Sequence, residues 1–200
     1  MIYLLWRHPA ALARVTAETR AVIADPEEPS LEEMGRLYFL DACAQETMRL
    51  KPVAPLIGIE AVRETVIADV KIPAGTVLIN AMRWDGVNEG QLPDAARFIP
   101  ERWLDEGVER ARLKRLSMPF GAGPRICPGR YLALLEIQLA IATLLSRFEI
   151  ESVGTPDSGP PLERLTFTMA PVGLRMRVKE WLPLVSRESP NLTGQTSLPP

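Results

Sequence analysis

The residues best suited to chemistry in this chain lie in one run, Phe120-Gly121-Ala122-Gly123-Pro124-Arg125-Ile126-Cys127-Pro128-Gly129, followed by an amphipathic stretch from Arg130 to Arg147. Glycines at 121 and 123 allow a tight backbone loop, and Pro128 suits the first position of a helix, where a missing N–H costs nothing. The pattern predicts a helix over 128–147 with Cys127 delivered to its first turn. Unpaired amides and the helix dipole favour negative charge there, so the expected state of Cys127 is a thiolate. A thiolate is a nucleophile or a soft metal ligand, and the alternative is a buried cysteine that merely packs at a helix start. As a nucleophile it lacks a base, because His8 is the only histidine and, preceding Pro9, reads as a helix-start residue. As a metal ligand it stands alone, so the rest of the coordination sphere must belong to a cofactor. A haem brings its own ring nitrogens and an open sixth position.

At these residues the sequence resembles the cytochrome P450 family of haem-thiolate monooxygenases. The family signature runs Phe, two residues, Gly, one, Arg, one, Cys, one, Gly. Here Phe120, Gly123, Arg125, Cys127 and Gly129 meet it, and the family's Leu-Ala and Glu positions follow at Leu132, Ala133 and Glu136. The resemblance implies haem b (iron protoporphyrin IX) as cofactor, with Cys127 the axial iron ligand, Arg125 on a propionate, Phe120 beside the sulfur and Gly129 where the helix nears the porphyrin. Gly121 and Ala133 complete the implied cofactor-binding set. Glu46 and Arg49 are three apart on one helix face. Alone they read as an exposed ion pair worth about 0.3 kcal/mol. Pro100-Glu101-Arg102-Trp103 occurs later, however, and in the resembling family the Glu and Arg of such a helix meet the Arg of such a loop. Glu46, Arg49 and Arg102 are therefore expected as a structural triad, since a buried Arg is costly unless paired.

What the resemblance implies for function is reductive activation of oxygen, with one atom inserted into a small organic substrate and the other released as water. A ferredoxin-like or flavoprotein electron donor would be the partner. Two other readings stand beside it: a non-catalytic truncated remnant, and a peroxide-using or isomerising relative that needs no redox partner. In the strand after Pro55 many members carry a propionate-binding Arg where this chain has Ile59, and Arg63 and Arg83 are candidate substitutes. The chain begins where the family's central helix is ending, so the N-terminal half of the fold, with its acid and Thr for proton delivery, has no counterpart. Of the substrate-lining segments, those near Pro55–Ile59 and Thr168–Val172 remain. Arg110, Arg112, Lys114 and Arg115 form either a solvated face or a docking patch for an acidic electron donor.

The elements that must position these residues follow from periodicity. Apolar spacing predicts a helix from Pro9 to about Ala24, Ser30 with Glu33 makes a capping box, and a stronger helix runs from about Leu37 to Leu50 before Pro52. Leu4 to Pro9 resembles the junction after the family's central helix. The β-branched runs Val62–Ile67 and Thr76–Ile79, with the turn Pro73-Ala74-Gly75 between them, predict two short paired strands. Residues 80–126 read as mostly irregular and 148–179 as short strands between Gly/Pro turns. The expected fold is mainly α with small β-sheets, the C-terminal half of the cytochrome P450 fold (α+β), with the haem loop leading into a long helix. Residues 1–182 form part of one domain, and the Ser/Pro/Thr-rich tail 183–200 is expected to be disordered.

Composition bounds the alternatives. The apolar share of 46% and charged share of 24% are globular averages, while 19 prolines force many turns. A net charge of −2 gives no global attraction to nucleic acid or to an anionic membrane. Cys43 and Cys127 are too few and too distant for a disulfide scaffold or clustered metal site, and Cys43 reads as buried core; a reducing, cytoplasmic setting is expected. No signal peptide or transmembrane segment is visible. Asn191-Leu192-Thr193 matches a glycosylation acceptor only formally. Trp6, Trp84, Trp103 and Trp181 read as packing residues, since no basic groove accompanies them.

Overall fold

The computed structural model describes residues 1–105 and 107–181. Helices α1 (Ile2–Arg7) and α2 (Pro9–Val22) meet at His8, whose backbone is non-helical and whose Nδ1 lies 2.8 Å from the Leu4 carbonyl oxygen. Proline at the start of α2 cannot donate the hydrogen bond that would continue α1, so the chain turns there. The short helix α3 (Leu31–Met34) carries the expected capping box: Ser30 Oγ accepts from Glu33 N at 3.3 Å, and Glu33 Oε2 accepts from Ser30 N at 2.7 Å.

Helix α4 (Tyr38–Leu50) starts at Leu37, which has no side chain able to cap it. Glu18 on α2 does so from a distance, its carboxylate accepting from Phe39 N at 2.7 Å and Leu40 N at 2.9 Å. A carboxylate at a helix N-terminus is favoured by both the free amides and the dipole, so this contact sets the α2–α4 geometry. Around it α1, α2, α4 and α7 (Arg130–Arg147) bury Leu5, Val15, Leu40, Cys43, Ala142 and Leu145. Each fully buried leucine contributes about 1.5–3 kcal/mol. Arg20 caps the far end of α7 by donating to the carbonyls of Leu145 at 3.1 Å and Phe148 at 3.3 Å, with Trp181 stacked over its guanidinium at 3.8 Å.

The strands form two nested hairpins. Strand β1 (Leu56–Glu60) pairs antiparallel with β4 (Val77–Ala81), and β2 (Thr65–Ile67) pairs with β3 (Val70–Ile72) inside the loop between them. The two runs expected to pair with each other therefore do not. Thr65–Ile67 turns back immediately through Ala68-Asp69, with Ala68 at φ 54°, and Val77–Ala81 finds its partner upstream in a strand that begins at Leu56. Pro73-Ala74-Gly75 is a turn, but it joins β3 to β4. Near the C-terminus β5 (Phe148–Gly154) pairs with β8 (Arg175–Glu180), with an irregularity after Ile150, and encloses the hairpin β6 (Leu162–Leu165) and β7 (Met169–Val172).

Residues 80–126 are more ordered than their sequence predicts. They hold α5 (Met82–Gly86), a 3-10 turn at Pro100–Trp103 and the helix α6 (Val108–Ser117). The expected tail at 183–200 lies outside the described residues. The expected architecture, helices with small antiparallel sheets, is the one observed.

Candidate functional site

The loop before α7 is closed by its own backbone. Cys127 N donates to the Phe120 carbonyl at 2.9 Å, Gly121 N to Met118 O at 2.9 Å and Ile126 N to Gly123 O at 3.1 Å. Such a closure needs left-handed backbone at two positions, and Gly121 (φ 72°) and Gly123 (φ 70°) supply it, so a side chain at either would be strained. Arg125 ends the 3-10 turn Gly123–Arg125. One expectation is corrected here. Pro128 is not the first helical residue: Pro128 and Gly129 form a turn, Gly129 is the cap, and α7 begins at Arg130. Cys127 thus precedes the helix instead of lying in its first turn.

Cys127 is exposed and unpaired, whereas Cys43 is buried in the core and burial pushes its thiol well up. The surface continues past the thiol: Arg125 and Gly129 are exposed, as are Tyr131 and Leu132 at the start of α7, with Phe120, Gly121 and Ala133 half-buried. Among the described residues no cluster of His, Cys, Asp or Glu could hold a metal ion. The donor set is a single sulfur on a rigid loop. It fits a metal that arrives with its other ligands attached, as haem iron does.

Helix α4 also carries a buried charge cluster. Glu46 and Arg49 have no exposed side-chain surface, and Arg49 donates to Glu46 through Nε at 2.8 Å and Nη2 at 2.7 Å. Glu46 also accepts from Ile99 N at 2.9 Å and from the Trp103 indole Nε1 at 2.8 Å. Arg49 spends its remaining donors on backbone carbonyls, those of Gly86, Ala95 at 2.6 Å and Arg97 at 3.0 Å. Arg102 Nε stands 3.7 Å from Glu46 Oε1 without a hydrogen bond, and its Nη2 donates to Asp94 O at 2.9 Å. The structure therefore brings Glu46, Arg49 and Arg102 together, with Arg102 the loosest of them. A pair desolvated this far is stable only if its hydrogen bonds are complete, and here they run from α4 into the segment 86–103.

Trp103 is the member that sequence reasoning missed as a hydrogen-bond donor, since an indole beside Arg102 reads equally as packing. Gly86 was missed too: a Cβ there would lie 3.0 Å from the Arg49 carbonyl oxygen, a crowded contact, so the close approach of its backbone to α4 favours glycine. No sequence pattern marks the accepting carbonyls.

Other expected residues are placed as follows. Arg83 on α5 pairs, together with Lys51, with Glu163 on β6. Arg63 and Ile59 are exposed. Of the basic run on α6, Arg110 lies 3.6 Å from Asp41 and Arg112 donates to the Gln91 carbonyl, while Lys114 and Arg115 are exposed. Trp103 packs in the core as expected, but Trp84 is exposed and Trp181 half-exposed. No helix of the described residues is long and apolar enough to cross a membrane.

Comparison with known proteins agrees with this geometry. The family model described as Cytochrome P450 matches residues 1–178. The mitochondrial 1,25-dihydroxyvitamin D(3) 24-hydroxylase of Rattus norvegicus is 34% identical over 150 residues, 75% of this chain and 29% of that protein. The steroid 17-alpha-hydroxylase/17,20 lyase of Bison bison is 36% identical over 187 residues, 89% of this chain and 36% of that protein. The crystal structure of the cytochrome P450DA heme domain superposes with a TM-score of 0.78 at 26% identity, covering 90% of this chain and 39% of that one. The chain thus spans 29% and 36% of the lengths of these two relatives. With the family model matched from residue 1 to residue 178, this chain belongs to the cytochrome P450 family.

Proposed function

We propose that this chain is the haem-ligating part of a P450 monooxygenase, with Cys127 the axial thiolate on haem b. The observation that carries the reading is the lone, exposed Cys127 sulfur on a backbone-closed loop, with no other metal-ligating cluster among the described residues. Haem held by a thiolate supplies reductive oxygen activation, inserting one oxygen atom into a small organic substrate and releasing the other as water.

The work of the chain itself is to hold and shield. With haem bound, Cys127 would supply the sulfur ligand, Arg125 would offer a cation to a propionate, and Phe120, Gly121, Gly123, Gly129 and Ala133 would form the surface that receives the group. Without side chains, Gly121 and Gly123 keep the loop narrow. The Glu46, Arg49 and Arg102 cluster acts at a distance, fixing the segment 86–103 against α4. Electrons come from a ferredoxin-like or flavoprotein donor. Lys114 and Arg115, exposed on α6, are the cations it would meet, since Arg110 and Arg112 are engaged with Asp41 and Gln91.

The test is spectroscopic. In haem-loaded protein Cys127→His is expected to abolish the red-shifted Soret band of the reduced carbon monoxide complex, and Cys43→Ala to leave it. An unchanged band in Cys127→His overturns the assignment.

A further inference from the structure

The inner hairpin of the second nested pair is tied to the body of the protein by polar contacts to the α4–β1 junction and to α5. At its apex Phe167 is 97% exposed, and Leu162 and Leu165 on β6 are exposed as well, so the outer surface of the hairpin packs on little. Its ends are turns with left-handed backbone, Ser158 at φ 59° and Gly173 at φ 73°. Polar contacts join it to the junction between α4 and β1. Met169 N donates to the Val53 carbonyl at 2.7 Å, and Glu163 bridges Lys51, the residue ending α4, and Arg83 on α5. Between the hairpin and the helices α1, α4 and α7 runs an apolar groove of about 480 Å³, bordered by Met48, Val53, Ile141, Glu163, Met169 and Pro171 among others.

We propose that Glu163 is a positioning residue that clamps the β6–β7 hairpin to α4 and α5 and so fixes where Val53 and Met169 stand along this groove. From the preceding reading the proposal takes only that the segments near Pro55–Ile59, just after Val53, and around Thr168–Val172 border the substrate.

Three features make Glu163 the clamp. It pairs with cations from two different elements, Lys51 at the end of α4 and Arg83 on α5. Its side chain is 22% exposed, so solvent screens the pairing only in part. Burial raises the Glu163 carboxyl, yet the hydrogen bonds from Lys51 and Arg83 outweigh that and hold it below the ordinary carboxylate range. A charge stabilised by two partners that belong to the body, and located on an otherwise thinly attached hairpin, ties hairpin position to ion pairing.

Amide hydrogen exchange on the full protein that carries this chain tests this without reading the haem spectrum, and so separates it from the Soret experiment. In Glu163→Gln, exchange across 162–172, with Met169 as the reporter, is expected to rise about tenfold, the loss of one charge-assisted contact. Exchange in α4 and α7 should not change. Glu163→Asp, which keeps the charge, should recover most of the protection, and 1 M salt should loosen the native hairpin but not the Glu163→Gln one. Unchanged hairpin exchange in Glu163→Gln, or a uniform rise across the core, overturns the proposal.

Discussion

Replacing Trp103 by Phe isolates the least legible contact in the buried charge cluster. The side chain is 2% exposed, and its indole N–H donates to Glu46 Oε2 at 2.8 Å. A phenyl ring occupies most of the same space but has no donor. Loss of a hydrogen bond to a charged acceptor costs about 1.5–3 kcal/mol. The smaller ring adds about 1 kcal/mol of cavity, for a total of about 2.5–4 kcal/mol. With a urea slope of about 2–3 kcal/mol/M, the unfolding midpoint should fall by about 1 M at unchanged slope. Volume and hydrogen bond are separated by a double-mutant cycle with Glu46→Gln. That change alone leaves Arg49 buried beside a neutral amide and costs about 3–5 kcal/mol. Because an indole N–H bonds a carboxylate more strongly than an amide, the two changes should couple by about 1 kcal/mol. A coupling indistinguishable from zero would mean that the indole contributes only its volume, and the four-donor account of Glu46 would be wrong.

Glu18→Ala removes the carboxylate that accepts from the first amides of α4, and equilibrium unfolding should show a loss of about 1–2 kcal/mol, whereas Glu28→Ala, on the exposed turn after α2, should be neutral. The Glu33 carboxyl is held down at about 2 by the amides of Ala24 and Ser30 and by the Ser30 hydroxyl. A depressed folded value means that its stabilisation is present above the ordinary carboxylate range and is lost as pH falls through about 2. Acid titration should therefore show a stability slope over that window that Glu33→Gln flattens, and an identical slope in the variant would refute the capping role.

The helices were legible because their signals are local. Proline after His8, the Ser30 and Glu33 box and the stop at Pro52 each act within one turn of the residue they govern. Helix α6 was not, since its apolar residues are only Val108, Ala111, Leu113 and Leu116, and only Leu113 of these is buried; tertiary contact to the segment around Gln91 holds it. Strand existence was partly legible and strand pairing was not, because β-branched runs show that a segment extends but not which neighbour completes its ladder. In the candidate site, Cys127, Arg125 and the glycines stood out by spacing, whereas the carbonyls that satisfy Arg49 carry no side-chain signature at all.

The nesting of the hairpins bears on how the chain finds its fold. Strands β1 and β4 must close over everything between Glu60 and Val77, and β5 and β8 over everything between Gly154 and Arg175. If the inner pair forms first, across the two-residue connection from Ile67 to Val70, the outer strands close a much shorter effective loop, and the entropy of closure is divided between two smaller steps. The Ala68-Asp69 turn then governs a pairing in which it takes no part. A substitution there that leaves every contact of β1 and β4 intact would still slow their meeting, placing kinetic control of the outer ladder at a solvent-facing turn.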